Sequence, residues 1–404
     1  METHTVLSLT AIAVCAVLAA MLADVFRRTR VPEVVVLLVL GILIGPQGLH
    51  LATVEPSISS LAELGLAFLM FMAGYEINLE RIKGRPMALA TVGWLASVAL
   101  ALGIGWVLVS TGKALNTLVI GMALTTTALG TLLPILRDAG VLQTKLGAHV
   151  LAVGTLGEFG PIVAISVLLT GTHHVLALVL LVVFVVVAVG AAIVATRPKP
   201  PRLVDMLQRH LHTSSQLPVR ISFMLTMVLI LLAAELKLDI LMGSFAAGLV
   251  FRLMVVQGDD KVVDRKLEAI GFGFLIPIFF IVSGMRFDLD ALFASPKALI
   301  RMPIFLLLFL VVRGVPALVL YGRELSAKGR LSLAFFSGTA LPLVVVITQL
   351  GVSSGRMLPE NAASLVGAAM ISVLVYPLVG LAIDRRHSGT DEAAVNPITS
   401  LSEP

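Results

Sequence analysis

One carboxylate and one guanidinium stand where an apolar chain has no ordinary use for them. Glu158 falls near the middle of HVLAVGTLGEFGPIVAISVLLTG, and Arg313 falls inside FLLLFLVVRGVPALVL. A charge at the centre of a hydrocarbon layer costs about 2.5–3.5 kcal/mol on insertion scales, so such a group usually lines a pathway. Burial disfavours the carboxylate anion, so Glu158 can hold a proton near neutral pH and give it up when a cation arrives. The chemistry is competition between a proton and a cation for one pair of oxygens. Gly154, Gly157 and Gly160 around it allow close backbone approach. A guanidinium cannot discharge itself and needs an anionic or dipolar partner. For Arg313 the candidates are Glu158 or the carbonyl ends of interrupted helices, and the guanidinium would substitute for the cation's charge when the site is empty.

Two further segments supply oxygen. TTTALGTLLP (125–134) and SGTALPLVVVIT (337–348) interrupt apolar runs with Thr, Gly and Pro. Breaks of this kind free backbone carbonyls, which hydrocarbon does not tolerate unless protein or water satisfies them. The hydroxyls of Thr126, Thr127 and Thr339, with those carbonyls, are hard ligands suited to a small cation. Glu76 and Asp288 sit at the ends of apolar runs, as structural or gating candidates that tie the broken helices. His149 lies one turn inside the Glu158 segment, where it could respond to cytoplasmic pH. His173 and His174 have no further ligand types beside them, so no resident metal site is expected, only a transported cation. No HExxH, GxSxG or DDxxD cluster is present, which argues against an enzyme, and no GxGxxG or P-loop, which leaves ATP-driven transport and bound nucleotide unsupported. No cofactor is expected.

The elements that must position these groups follow from composition. Of 404 residues, 58% are hydrophobic and only 13% charged, with a mean hydropathy of +1.03. Such a chain cannot cover a water-facing surface, and it reads as an all-α integral membrane protein. The single Cys15 excludes a disulfide framework. The net charge of +5 does not indicate nucleic acid, because the basic residues sit in short clusters between apolar runs. Thirteen runs qualify as spans: about 5–26, 32–48, 60–77, 87–110, 115–136, 146–170, 175–196, 220–236, 238–256, 267–285, 299–321, 329–350 and 361–383. With the N-terminus outside, 22 of the 29 Lys and Arg fall on the cytoplasmic side, the asymmetry that orients a membrane protein. The membrane domain is 1–384, with a first half over about 1–196, a cytoplasmic linker at 197–219, a second half at 220–384 and a short cytoplasmic tail at 385–404.

The halves repeat. GYEINL (74–79) and GMRFDL (284–289) match at an offset of 210, and Thr-Ala-Leu recurs in the fifth and twelfth spans at 212. Odd-numbered and even-numbered spans run in opposite senses, so the repeat is inverted, the architecture of proteins that alternate access around a mid-membrane site.

On these motifs the chain resembles the second cation:proton antiporter family, the bacterial sodium/proton and potassium/proton exchangers, in the form of a membrane domain without a nucleotide-binding domain. VPEVVVLLVLGILIGPQGL (31–49), LAELGLAFLMFMAGYEINLERI (61–82), MGSFAAGLVF (242–251) and IPIFFIVSGMRFDL (276–289) carry the likeness in order. The resemblance implies thirteen helices, a dimerisation domain, and a core in which two discontinuous helices, the fifth and twelfth spans, cross. It places Glu158 at the ion-carrying carboxylate, Arg313 at a basic residue facing the crossing, and Thr126, Thr127 and Thr339 at the unwound segments. The expected function is electroneutral exchange of Na⁺ or K⁺ for protons across a bacterial plasma membrane by a homodimer, the alternative being a gated cation-efflux channel. Many sodium-exporting members carry two acids or Asn-Asp where this chain has Gly157-Glu158.

Overall fold

In the computed structural model the described residues are 3–25, 32–77, 82–112, 116–168, 174–196, 216–236, 240–255, 260–293 and 296–395. The expected linker lies outside them except for 216–219, as do His173 and the last nine residues of the tail. Besides short helical turns at Val141–Gln143 and Leu289–Phe293, the longer helices among the described residues fall into thirteen consecutive runs. They are α1 (Thr3–Val25), α2 (Glu33–Ile44), α3 (Pro56–Tyr75), α4 (Arg85–Ser110), a split α5 (α5a, Thr117–Leu124; α5b, Leu129–Asp138), α6 (Lys145–Leu168) and α7 (His174–Thr196). Then follow α8 (Leu217–Glu235), α9 (Ile240–Val255), α10 (Asp260–Ile270, a π-helical turn Gly271–Leu275, then Ile276–Met285) and α11 (Pro296–Leu320). A split α12 (α12a, Ala327–Gly338; α12b, Pro342–Ser353) and α13 (Pro359–Val395) complete the chain. Seven are long and apolar enough to cross a membrane unaided, and the bent α12 pair makes an eighth. The remaining runs are α2, α5, α7, α8 and α9. The last helix carries on past the expected end at 383, through Val395.

The chain divides into two compact units that each draw on both halves of the sequence. The first is Met1–Leu79 with Phe159–Asp290, and the second is Glu80–Glu158 with Ala291–Pro404. The sequence halves are therefore interleaved in space. In the first unit α3 packs on α9, and α2 on α10, with backbones almost touching. A Cβ on Gly74 would strike the carbonyl of Phe245, and one on Gly248 that of Phe71. Gly41 and Gly284 stand in the same reciprocal relation to Ile281 and Leu38. Small residues facing each other are what lets membrane helices gain dispersion contact where no hydrophobic force separates protein from lipid. At one end of this unit the Tyr75 hydroxyl donates to Asp264 (2.5 Å), whose other neighbour is Arg252, 3.8 Å away.

The second unit holds α4, both broken helices, the first part of α6, α11 and α13. The buried Tyr376 hydroxyl ties α13 to the Leu306 carbonyl of α11 at 2.5 Å. In the loop before α12a, Glu324 binds Arg85 (2.5 Å) and Lys145 (2.9 Å), joining the starts of α4 and α6. The Lys145 hydrogen bond, aided by the positive charge of Arg85, holds the Glu324 carboxyl below its usual range against a smaller opposing push from burial.

Candidate ion site

The two breaks have different local causes. In α12, Pro342 opens α12b: it has no N–H to continue α12a, and its ring keeps the preceding residue out of helical geometry. In α5 no proline stands at the break. Instead the Thr125 and Thr126 hydroxyls turn back onto the Met122 and Ala123 carbonyls, both at 2.9 Å, and cap the last turn of α5a. Residues 126–128 then run unwound until α5b begins.

Two of the freed carbonyls of the α12 break are satisfied by the α5 break. The Ala128 N–H donates to the Thr339 carbonyl (2.8 Å), and the Thr127 hydroxyl to the Ser337 carbonyl (2.6 Å). The Thr127 N–H donates to the Gly157 carbonyl of α6 at 3.0 Å. That carbonyl is available because its helical partner four residues on is Pro161, which has no N–H. Every polar group of an unwound segment at membrane depth needs such a partner, and here the protein supplies them.

Glu158 is the next residue on α6. It is 2% exposed, and its Oε1 accepts the Gly130 N–H at 3.2 Å. Gly130 lies in the first turn of α5b, so the carboxyl rests on an N-terminal amide at the positive end of a half-helix, where an anion is favoured. Thr126, Thr127 and Thr339 are each buried within the same unit. The Thr339 hydroxyl donates to the Phe335 carbonyl at 3.2 Å, which uses its proton and not its lone pairs, as in Thr126.

Arg313 is fully inside, 3% exposed, but its acceptors are not those the sequence suggested. Nε donates to the Thr127 hydroxyl (3.0 Å), Nη2 to the Val153 carbonyl (3.0 Å) and Nη1 to the Ser97 hydroxyl (3.4 Å). All three are neutral, and Val153 belongs to continuous α6 rather than to a broken end. The reason is helical geometry. Val153 and Gly157 share one face of α6, while Glu158 is turned about 100° further round, towards Gly130. The ring then closes, since the Ser337 hydroxyl donates to the Ala334 carbonyl (3.0 Å) and reaches the Arg313 carbonyl at 3.2 Å.

This geometry sets an expectation for Arg313→Ala. Charge-assisted hydrogen bonds are lost, but their acceptors keep other partners, so the cost should be about 1–3 kcal/mol. A broken buried ion pair would cost about 3–5 kcal/mol. Arg313→Lys keeps the charge without the fork and should retain transport with an altered pH profile. Thermal melting and rate–pH curves of both variants test this. An Ala variant with unchanged melting and pH profile would make Arg313 a bystander.

The other sequence candidates fall elsewhere. His149 is buried nine residues before Glu158 on α6, about 13 Å along the axis. Its Nδ1 meets the Lys145 carbonyl at 2.8 Å, and its ring meets Tyr321 edge-on, 5.3 Å between centroids. Glu76 and Asp288 belong to the first unit, at the ends of α3 and α10. Asp288 accepts from the Gln47 amide at 3.2 Å. Among the described residues no three His, Cys, Asp or Glu side chains come together as metal ligands. Ser97, Ser337 and Gly130 meet these candidate residues without having been singled out in the sequence. The only forward signal for any of them was the repeat of the Thr-Ala-Leu motif, which brackets Ser337 and Gly130.

Comparison with known proteins gives a consistent picture. A family model described as the transmembrane part of the sodium/hydrogen exchanger matches residues 13–381. YjbQ of Bacillus subtilis, whose name carries the words Na(+)/H(+) antiporter, is 26% identical, over 96% of this chain and 65% of its own length. The glutathione-regulated potassium-efflux system protein KefC of Escherichia coli is 25% identical, over 93% of this chain and 60% of its own. The chain thus spans less than two thirds of these two relatives. In fold it resembles the sodium proton antiporter MjNhaP1 of Methanocaldococcus jannaschii, with a TM-score of 0.65 at 17% identity, covering 96% of this chain and 98% of that one.

Proposed function

We propose, on the premise that this chain belongs to the sodium/hydrogen exchanger family, that it exchanges a monovalent cation, Na⁺ or K⁺, for protons across a plasma membrane by alternating access. The observation that carries the reading is Glu158, a single buried carboxylate resting on the first turn of a half-helix beside two interlocked breaks. In the cation-bound step the carboxylate and the hydroxyls of Thr126, Thr127 and Thr339 replace water around the ion. In the return step a proton on Glu158 takes its place, and the positive charge of Arg313 keeps the local potential from falling as the cation leaves. An N-terminus outside, a cytoplasmic C-terminus and assembly as a homodimer belong to the same proposal, supported by the distribution of basic residues and by the family resemblance.

The test is cation-driven proton movement in sealed vesicles, with the chloride salts of Na⁺, K⁺ and Li⁺ in turn. An exchanger moves protons against each transported cation, whereas a channel passes cation current without stoichiometric proton flow. One titrating group also fixes the stoichiometry. Gly157 carries no proton and a guanidinium does not release one, so one proton leaves for each cation and no net charge crosses. Initial rates should therefore be indifferent to a clamped potential. An electrogenic cycle would feel about 2.3 kcal/mol per net charge per 100 mV, and a rate that follows voltage would require a second proton carrier.

A further inference from the structure

The inverted repeat has placed a second side chain at a broken helix, and the exchange reading above gives it a task. We propose that Ser372 is a positioning residue of the ion site, fixing the peptide at the break of α12 as α6 fixes the break of α5. Glu158 lies thirteen residues after the first residue of α6, and Ser372 thirteen after that of α13. In each half the break is bonded by the span that follows it. The Thr127 N–H goes to the Gly157 carbonyl, and the Ala340 N–H to the Ser372 hydroxyl oxygen at 3.0 Å.

The 339–340 peptide is held from both sides. Its carbonyl, on Thr339, takes the Ala128 N–H at 2.8 Å, and its N–H, on Ala340, meets Ser372. With either contact gone the peptide plane can turn, and with it the Thr339 oxygens that face the crossing. Ser372 is fully buried, and its single proton has two carbonyls in reach, Ala369 at 2.7 Å and Ala340 at 3.0 Å. Only a hydroxyl both accepts from the Ala340 N–H and donates to the Ala340 carbonyl. Unlike the Glu158 position, this one carries no acid. The amide that meets the Glu158 carboxyl is that of Gly130, and the residue 212 positions on is Pro342, which has no N–H to offer.

The test uses reconstituted full-length protein and three measurements: apparent KM for the cation, maximum exchange rate, and the rise in melting temperature when NaCl or KCl is added to detergent-purified protein. Ser372→Ala should raise KM about tenfold, the effect of one buried neutral hydrogen bond, with the maximum rate within about twofold of wild type. Its cation-induced rise in melting temperature should shrink in parallel, a readout that does not need transport. Ser372→Thr, which keeps the hydroxyl, should bring KM back to within about threefold. Wild-type KM and wild-type cation stabilisation in Ser372→Ala overturn the assignment, and so does a loss of maximum rate at unchanged KM, the mark of a merely structural serine. If the wild type itself neither exchanges nor is stabilised by cations, the exchange reading falls and this assignment falls with it.

Discussion

Glu158→Gln should abolish exchange, to the level of empty vesicles, while leaving a folded protein. The amide has the volume of the acid, and its carbonyl oxygen can still accept the Gly130 N–H that Glu158 takes at 3.2 Å. What disappears is ionisation: the side chain can neither release a proton nor offer a cation a negative charge. The loss of a charge at a helix N-terminus changes stability by about 1 kcal/mol at most in exposed geometry and up to about 2 kcal/mol when partly buried. Melting and membrane insertion should therefore stay close to wild type. Glu158→Asp separates charge from position. It keeps the anion but draws it back by one methylene from Gly130, so exchange should survive at a reduced rate. Vesicle assays with melting curves on the same preparations decide the matter. Substantial exchange by a well-folded Gln variant would remove Glu158 from the transport step, and Glu76 and Asp288 would then be the acids to replace next.

Glu158, Arg313 and the two breaks were legible in the sequence because each violates its surroundings: a charge in an apolar run, or Thr, Gly and Pro where hydrocarbon wants uninterrupted helix. Those violations have few physical explanations, so residue type alone points to them. The partners of Arg313 were not legible for the opposite reason. Ser97 is one of many serines in apolar helices and lies 216 residues away along the chain, and the Val153 carbonyl has no sequence signature at all. An anion was the natural expectation for a buried guanidinium, yet neutral acceptors on α4, on α6 and in the break of α5 share it. The interleaving of the halves was hidden as well. Hydropathy marks where a span begins and ends, but the choice of neighbours rests on surfaces such as the Gly74–Gly248 pair, which look like ordinary glycines until the backbones are seen to meet. The π-helical turn at Gly271–Leu275 inside α10 has no periodicity signal that separates it from ordinary helix.

Gly157→Ala should be the most damaging small change at the ion site outside the carboxylate itself. A Cβ there would lie 2.5 Å from the Thr127 hydroxyl oxygen, 2.6 Å from the Thr127 Cβ and 2.7 Å from Arg313 Nη2. None of these can withdraw freely. Thr127 is fixed by three bonds, to the Gly157 and Ser337 carbonyls and to Arg313, and the guanidinium is fixed by Val153 and Ser97. Overpacking of this kind typically costs about 1–3 kcal/mol. Relief requires the α5 break or the Arg313 side chain to move, and either motion disturbs the Thr127 contacts next to Glu158. Exchange should therefore fall at least about tenfold, which corresponds to 1.4 kcal/mol, with a lower melting temperature. The same crowding bears on stoichiometry. A second acid at 157, the arrangement of many sodium-exporting members, would have to occupy the space that Arg313 and Thr127 fill, so the guanidinium and the missing carboxylate are two aspects of one packing choice. Gly157→Asp should accordingly be crippled rather than turned into an electrogenic exchanger. Rates at several clamped potentials, with melting curves for both variants, test the argument. Full exchange and unchanged melting in Gly157→Ala would mean that the Thr127–Arg313 contact yields easily and does not shape the site.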